Sequence, residues 1–272
     1  MKIFIAGLGL IGGSYAEGLT QKGYEVYGFN RTKESELIAI QRGYIKDAGL
    51  KYLPLCEVVI LGFYPQLNVT FMEEHRYLLR KGQIVTDVAG TKVEMIPQIE
   101  ALLPEGVSYV SHHPMAGRET KGIDRADCNM FKGANYLITP SAHSTPESIE
   151  IIKQLGRDLN FKRITIIDPK RHDQLIGFTS QLPHAMAVAL VNSDAYEETS
   201  SFTGDSYRDL TRIAMINEIL WTELFFENKV ILIEEIEKFE RELDKIKKAL
   251  HDNDKDSLSK LFIQSTKKRS GF

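Results

Sequence analysis

Lys2-Ile3-Phe4-Ile5-Ala6-Gly7-Leu8-Gly9-Leu10-Ile11-Gly12-Gly13-Ser14 decides how the rest of this chain is read. Residues 3–6 are apolar, β-branched or aromatic, as in a buried strand, and a helical pattern continues through Leu19. Between strand and helix the glycines fall as G-x-G-x-x-G. Gly7 permits the tight turn, Gly9 lets backbone approach a pyrophosphate, and Gly12 lets the helix close on the strand. The free N–H groups that open the helix, at Leu10 and Ile11, then face the phosphates, where the helix dipole also favours anions. A dinucleotide-binding unit is expected, with Gly7, Gly9, Leu10, Ile11 and Gly12 as cofactor contacts.

The next strand-like run, Glu25-Val26-Tyr27-Gly28-Phe29, ends at Asn30-Arg31-Thr32, about 20 residues beyond the first glycine, where the ribose contact of such a unit lies. A carboxylate there would bind the 2′-hydroxyl of NAD. This chain instead offers an amide and a guanidinium, which suit a 2′-phosphate. The reading leans to NADP over NAD, with Asn30, Arg31 and Thr32 as the contacts that discriminate. Three more apolar runs, Val58–Gly62, Gln83–Asp87 and Ser108–Ser111, are separated by amphipathic stretches of helical length. Such alternation implies a parallel, doubly wound sheet. Tyr136–Thr139 and Arg163–Ile167 continue the strands around a helix that starts after Thr145, with Pro146 at its first position.

Beyond Asp168-Pro169 the pattern is helical only: roughly 169–193, 205–219, and a long helix from Trp221 towards His251. The expected fold class is therefore α/β, an N-terminal Rossmann-type doubly wound sheet over residues 1–167, followed by an all-helical dimerisation domain over residues 168–272. In the long helix, Phe225, Leu232, Ile236, Phe239, Leu243, Ile246 and Leu250 form an apolar seam that an isolated helix cannot bury. Core packing and dimerisation both account for such a seam; a homodimer through the C-terminal helices is the favoured expectation. Lys267–Phe272 reads as a frayed tail.

With 43% hydrophobic and 26% charged residues and a net charge of −3, the 272-residue chain has the composition of a soluble globular protein. It lacks the basic field that nucleic-acid binding requires. Cys56 and Cys128 show neither disulfide nor metal-ligand spacing, so no metal is expected and a reducing cytoplasm fits best. The apolar start is too short for a secretory h-region or a membrane span, and no membrane association is expected.

The candidate chemistry sits at Ser111-His112-His113-Pro114-Met115-Ala116-Gly117. A histidine at a strand's C-terminal end lies where open α/β sheets bind ligands, and imidazole is the side chain best suited to move protons near neutral pH. Thr91, in Asp87-Val88-Ala89-Gly90-Thr91-Lys92, follows a strand and opens a helix, so it should face the same crevice. The helical half adds His172-Asp173 and Ser180-Gln181-Leu182-Pro183-His184, where a proline kinks a helix. It also carries Arg208 and Arg212 on one helix face, a pair that suits either a carboxylate clamp or a solvated surface.

In combination, the glycine turn, His113-Pro114-Met115-Ala116-Gly117, Asp168-Pro169 with His172-Asp173, Ser180 to His184, and Asp209-Leu210-Thr211-Arg212-Ile213 resemble the prephenate/arogenate dehydrogenase family of tyrosine biosynthesis. The resemblance spans nearly the whole chain in the family's order. It implies an NAD(P)-dependent oxidative decarboxylation of prephenate to 4-hydroxyphenylpyruvate, with arogenate, which would give tyrosine directly, as the alternative substrate. It implies that His113 is the catalytic histidine that bonds the C4 hydroxyl, and that Thr91 stands for a serine contacting that hydroxyl and the nicotinamide. Glu119, His184 and Arg212 are then substrate-binding residues, Arg212 through a carboxylate, with Trp221 near the pocket. Gln181 replaces the first histidine of the Ser-His-Leu-Pro-His motif and joins the substrate-binding set, and His112 is left structural. The length after the helical region is expected to be too short for the family's regulatory ACT domain. Two rivals stand beside this reading: a β-hydroxyacid dehydrogenase, which would rely on a pocket lysine, and a non-catalytic NADP-binding sensor.

Overall fold

β1 (Lys2–Ala6), fully buried from Ile3 onward, is the pivot of an eight-stranded sheet in a computed structural model that describes residues 1–117 and 120–271. The other strands are β2 (Glu25–Phe29), β3 (Asp47–Ala48), β4 (Val58–Leu61), β5 (Ile84–Asp87), β6 (Ser108–Pro114), β7 (Asn135–Pro140) and β8 (Arg163–Ile166), in the spatial order 3-2-1-4-5-6-7-8. Side chains alternate across a strand, so each one feeds two cores. Ile3, Ile5, Val58 and Ile60 pack on one face with Tyr15 and Leu19 of α1 (Leu10–Gln21). Phe4, Ala6, Val59 and Leu61 pack on the other face, which the helices described below as α3 and α4 cover. This is the doubly wound arrangement expected. Strand order reverses at β1, leaving a crevice past the C-terminal ends of β1 and β4.

The remaining helices of this half are α2 (Lys33–Gln41), α3 (Pro65–His75), α4 (Met95–Glu100) and α5 (Pro146–Asp158). Thr145 and Ser148 close a capping box at the start of α5, with Pro146 in its first turn. One expectation needs correction: the sheet is not parallel throughout. β7 runs antiparallel to β6, while β8 is parallel to β7. Parallel pairing requires a crossover long enough to return the chain, usually a helix. The described part of the β6–β7 connection holds only single 3-10 turns, at Ile123–Arg125 and Cys128–Phe131.

The helical half comprises α6 (Pro169–Ile176), α7 (Leu182–Asn192), α8 (Thr199–Phe202), α9 (Asp205–Thr211), α10 (Glu218–Glu227), α11 (Lys229–His251) and α12 (Lys255–Arg269). Asp168 caps α6 by accepting from the N–H groups of Lys170 and Arg171. Between α6 and α7 the chain makes a π-helical turn, Gly177–Gln181, immediately before Pro183. The helix expected from Trp221 to His251 is broken at Asn228, whose buried side chain donates to Asp173 O at 3.0 Å and Gln181 Oε1 at 2.7 Å. Nor are Lys267–Arg269 a frayed tail; they end α12. No described helix is long and apolar enough to cross a membrane.

Candidate active site

At the glycine loop, Gly7 adopts φ +101° and lies so close to the end of β4 that a Cβ on it would stand 2.7 Å from the Gly62 carbonyl carbon. A Cβ on Gly12 would stand 1.9 Å from Gly7 O, so loop, helix and β4 close together only without side chains. Gly9 differs: a Cβ there meets nothing within 4 Å. It caps α1 and opens onto space before the helix's first-turn N–H groups of Leu10 and Ile11, a geometry that fits a pyrophosphate.

Asn30 serves this loop directly. Its Oδ1 accepts from Leu8 N–H at 3.1 Å and its Nδ2 donates to Thr32 Oγ1 at 2.7 Å. Behind it stands a carboxylate that motif spacing does not reveal, because an acid in a first helical turn is commonplace. Glu36, 5% exposed, accepts from Asn30 N–H at 3.0 Å and pairs with Lys33 at 2.8 Å. With both oxygens occupied it faces inward, while Arg31 lies exposed beside the Asn30 turn.

His113 lies in the last residues of β6, paired with Leu137. Its Nδ1 is 3.0 Å from His172 Nε2, and His172 Nδ1 is 2.7 Å from Asp173 Oδ1. A carboxylate only accepts, so His172 carries its proton on Nδ1. Burial holds the His172 pKa below its ordinary value, against the pull of Asp173, so the ring is neutral and its Nε2 is an acceptor. His113 must then donate from Nδ1, which leaves its Nε2 lone pair free to take a proton. Burial, reinforced by His172 and Lys92, holds the His113 imidazole well below its usual range and therefore unprotonated at neutral pH. A Cβ on Gly90 would lie 3.9 Å from that Nε2 and 3.3 Å from Leu224 Cδ2, so Gly90 borders the imidazole and lets Leu224 close against the loop.

The β5–α4 loop beside it is held from both halves. Lys92 is fully buried; its Nζ donates to Asp87 Oδ1 at 2.8 Å and to His112 O at 2.7 Å, pinning the strand end that presents His113. Tyr109 OH donates to the other Asp87 oxygen at 2.7 Å. Burial alone would raise the Asp87 carboxyl, yet Lys92 brings it net below its usual range. Breaking such a buried pair costs about 3–5 kcal/mol. From the helical half, Asp173 accepts from Lys92 N–H and Val93 N–H, and Glu227 accepts from the Thr91 hydroxyl. Burial, aided by the carboxylates of Glu223, Asp173 and Glu94, pushes the Glu227 carboxyl up to about 7. His112 is structural: between Thr86 Oγ1 at 2.6 Å and Tyr15 OH at 2.8 Å it is fully enclosed, and burial depresses it to about 3.

The structure thus gathers His113 and Thr91 with three residues whose roles local pattern does not show, His172, Lys92 and Glu227. His184 approaches on α7, its Nδ1–H donating to Ser180 O at 2.9 Å and its ring stacked on Trp221 with centroids 3.7 Å apart. Gln181 is placed differently from expectation. It is 1% exposed, its Nε2 donates to Leu224 O at 2.8 Å and its Oε1 accepts from Asn228, so its amide ties α10 and α11 to the π-turn instead of presenting a free group to a ligand. Arg212 is exposed in the turn after α9. Glu119 lies outside the described residues.

Two family models match the chain, the prephenate dehydrogenase nucleotide-binding domain over residues 15–165 and the prephenate dehydrogenase dimerization domain over residues 168–264. A prephenate dehydrogenase of Lactococcus lactis is 32% identical across 98% of this chain and 76% of its own length. The crystal structure of A. aeolicus prephenate dehydrogenase in complex with hydroxyphenyl propionate and NAD+ superposes with a TM-score of 0.91 at 26% identity, covering 100% of this chain and 98% of that one. Synechocystis arogenate dehydrogenase superposes with a TM-score of 0.86 at 27% identity, covering 100% and 99%.

Proposed function

The chain belongs to the prephenate dehydrogenase family, and on that premise we propose that it converts prephenate to 4-hydroxyphenylpyruvate and CO2 with reduction of NADP in preference to NAD. The observation that carries this reading is the His113–His172–Asp173 chain, which leaves an unprotonated His113 Nε2 beside Gly90 with no hydrogen bond of its own in that chain. That base stands at the C-terminal edge of a sheet whose glycine loop fits a dinucleotide.

Bound NAD(P) supplies the acceptor for the hydride of C4, and loss of the ring carboxylate as CO2 makes the ring aromatic. His113 Nε2 takes the C4 hydroxyl proton as that oxygen becomes a carbonyl, and returns it to the phenolate oxygen once CO2 has left. Positioned general-base transfer of this kind contributes roughly 10²–10⁴-fold. Arg212 binds a substrate carboxylate, Glu119 is a further substrate-binding residue, and His184 stacked on Trp221 forms a wall of the pocket. The cofactor lean rests on Arg31, exposed beside Asn30 and Thr32, where a 2′-phosphate would add two negative charges. Residues 1–167 form the cofactor-binding domain and residues 168–272 the substrate and dimerisation domain.

Arogenate is the second reading, supported by the superposition on an arogenate dehydrogenase; it places an amino group where prephenate has a keto oxygen. The test is a matrix of two substrates by two cofactors, followed by the absorbance of reduced nicotinamide. Fastest turnover is expected with prephenate and NADP. No turnover in any of the combinations would overturn the reading.

A further inference from the structure

Leu224 and Glu227 lie three residues apart on α10, on a face of this helix that meets the Rossmann half. Leu224 packs against Gly90, and Glu227, at the helix end, binds the hydroxyl of the next residue, Thr91. Thr91 is 1% exposed, and its neighbour Gly90 borders His113 Nε2. A threonine hydroxyl has one proton to give. Towards an ionised Glu227 it must donate, because a carboxylate only accepts. Towards a protonated Glu227 it can accept, which leaves its own proton free for another acceptor.

We propose that Glu227 is a positioning residue for the oxidation: by accepting from or donating to Thr91 across the domain boundary, it sets whether the Thr91 hydroxyl offers a proton or a lone pair to the substrate oxygen beside His113. This rests on the reading of His113 as the base of the proposed reaction. An oxygen turning from hydroxyl to carbonyl is helped by a donor and not by a second acceptor, which would compete with His113 for the same proton. The protonated form of Glu227 is therefore the faster one. The charged groups facing Glu227 are Glu223 on its own helix, Asp173 on α6, Glu94 ahead of α4, and the buried Lys92. Burial and the three carboxylates bring its carboxyl to about 7, so both forms are populated near neutral pH.

The test compares kcat and KM from about pH 5.5 to about pH 9 in wild type, Glu227→Gln and Thr91→Val. Wild-type kcat should fall several-fold as pH rises through about 7. Glu227→Gln, whose amide still donates but does not ionise, should hold its rate over that interval with KM little changed and so exceed wild type at the alkaline end. Thr91→Val should be slower throughout and flat. A limb near pH 7 that persists in either variant overturns the proposal. Infrared difference titration of the substrate-free protein reads the same pair without turnover: a protonated-carboxyl band titrating near 7 should vanish in Glu227→Gln and shift in Thr91→Val. A band unmoved by Thr91→Val overturns the positioning role whatever the turnover, whereas absent turnover with both substrates overturns the activity reading itself.

Discussion

His113 Nδ1 and His172 Nε2 are 3.0 Å apart, and this one bond decides which nitrogen of His113 faces the crevice. The direction is imposed from behind by Asp173, which accepts from the Nδ1–H of His172 and leaves its Nε2 as the acceptor. Asp173→Asn would present an amide able to donate to His172 Nδ1, releasing the tautomer at both rings. The expected outcome is a loss in kcat of about 10²-fold or more with cofactor affinity retained. Because Asp173 also accepts from the Lys92 and Val93 N–H groups, a thermal melt should accompany the kinetics. Unchanged kcat in a folded Asp173→Asn protein would show that the tautomer is set elsewhere.

Replacing His113, the proposed base, separates an enzyme from a nucleotide sensor. His113→Asn keeps a hydrogen-bonding side chain towards His172 but removes the proton acceptor. Turnover should fall by roughly 10²-fold or more, while the dissociation constant for NADP stays within about twofold of wild type. A variant with full activity would remove His113 from the mechanism.

The proposed NADP preference rests on Arg31, since Asn30 is committed to Leu8 and Thr32 and Glu36 is satisfied from within. Arg31→Ala should weaken NADP by about 10-fold or more, equivalent to about 1.4 kcal/mol, and leave NAD nearly unaffected. Titration calorimetry with both cofactors gives the answer. Equal losses would mean that Arg31 serves the adenine or nothing at all.

Acid should destabilise the Rossmann half through His112. Its imidazole is fully buried and depressed to about 3, so the unfolded chain takes up the proton first. The stability is complete above about pH 6.5 and is lost as pH falls towards the folded value, at about 1.4 kcal/mol per pH unit. Urea unfolding at pH values between about 7 and about 5 should show this slope, and it should be shallower in His112→Asn. Identical slopes would assign the acid sensitivity to other groups.

Much of this was legible from local pattern, and the exceptions have physical causes. The glycine turn is readable because Gly7 and Gly12 are sterically obligatory, a demand that falls on single positions. His113 is readable as a strand-end imidazole. The direction of β7 is not, since strand periodicity carries no sense of direction; the available clue was the lack of a long helical pattern between Met115 and Ala134. Lys92 and Glu36 look like ordinary surface charges until the fold buries them. His172 and Glu227 come to the site from 59 residues beyond His113 and 136 beyond Thr91, and no local period encodes such a meeting. Gln181 was misplaced for the reverse reason: the kink at Pro183 marks a special place, but helix spacing does not say which side chains near it turn towards a neighbouring helix.

The seam along α11 bears on assembly. Leu232 is buried against its own chain, but Leu243 and Leu250 remain 52% and 61% exposed, and on α12 Phe262 and Ile263 are 57% and 66% exposed. Exposed large apolar side chains of this kind suit a contact with another chain, and we propose that they form one. The family model that covers this half is a dimerization domain, which supports a second copy of the chain as the occupant. Light scattering should give twice the mass of one chain at micromolar concentration. Leu243→Lys combined with Phe262→Glu places charges on the exposed seam without touching the buried Leu232 or Ala249, and should yield folded monomers with an unchanged circular dichroism spectrum. A wild-type monomer, or a double variant that stays dimeric, would move the interface to another face of the helical half.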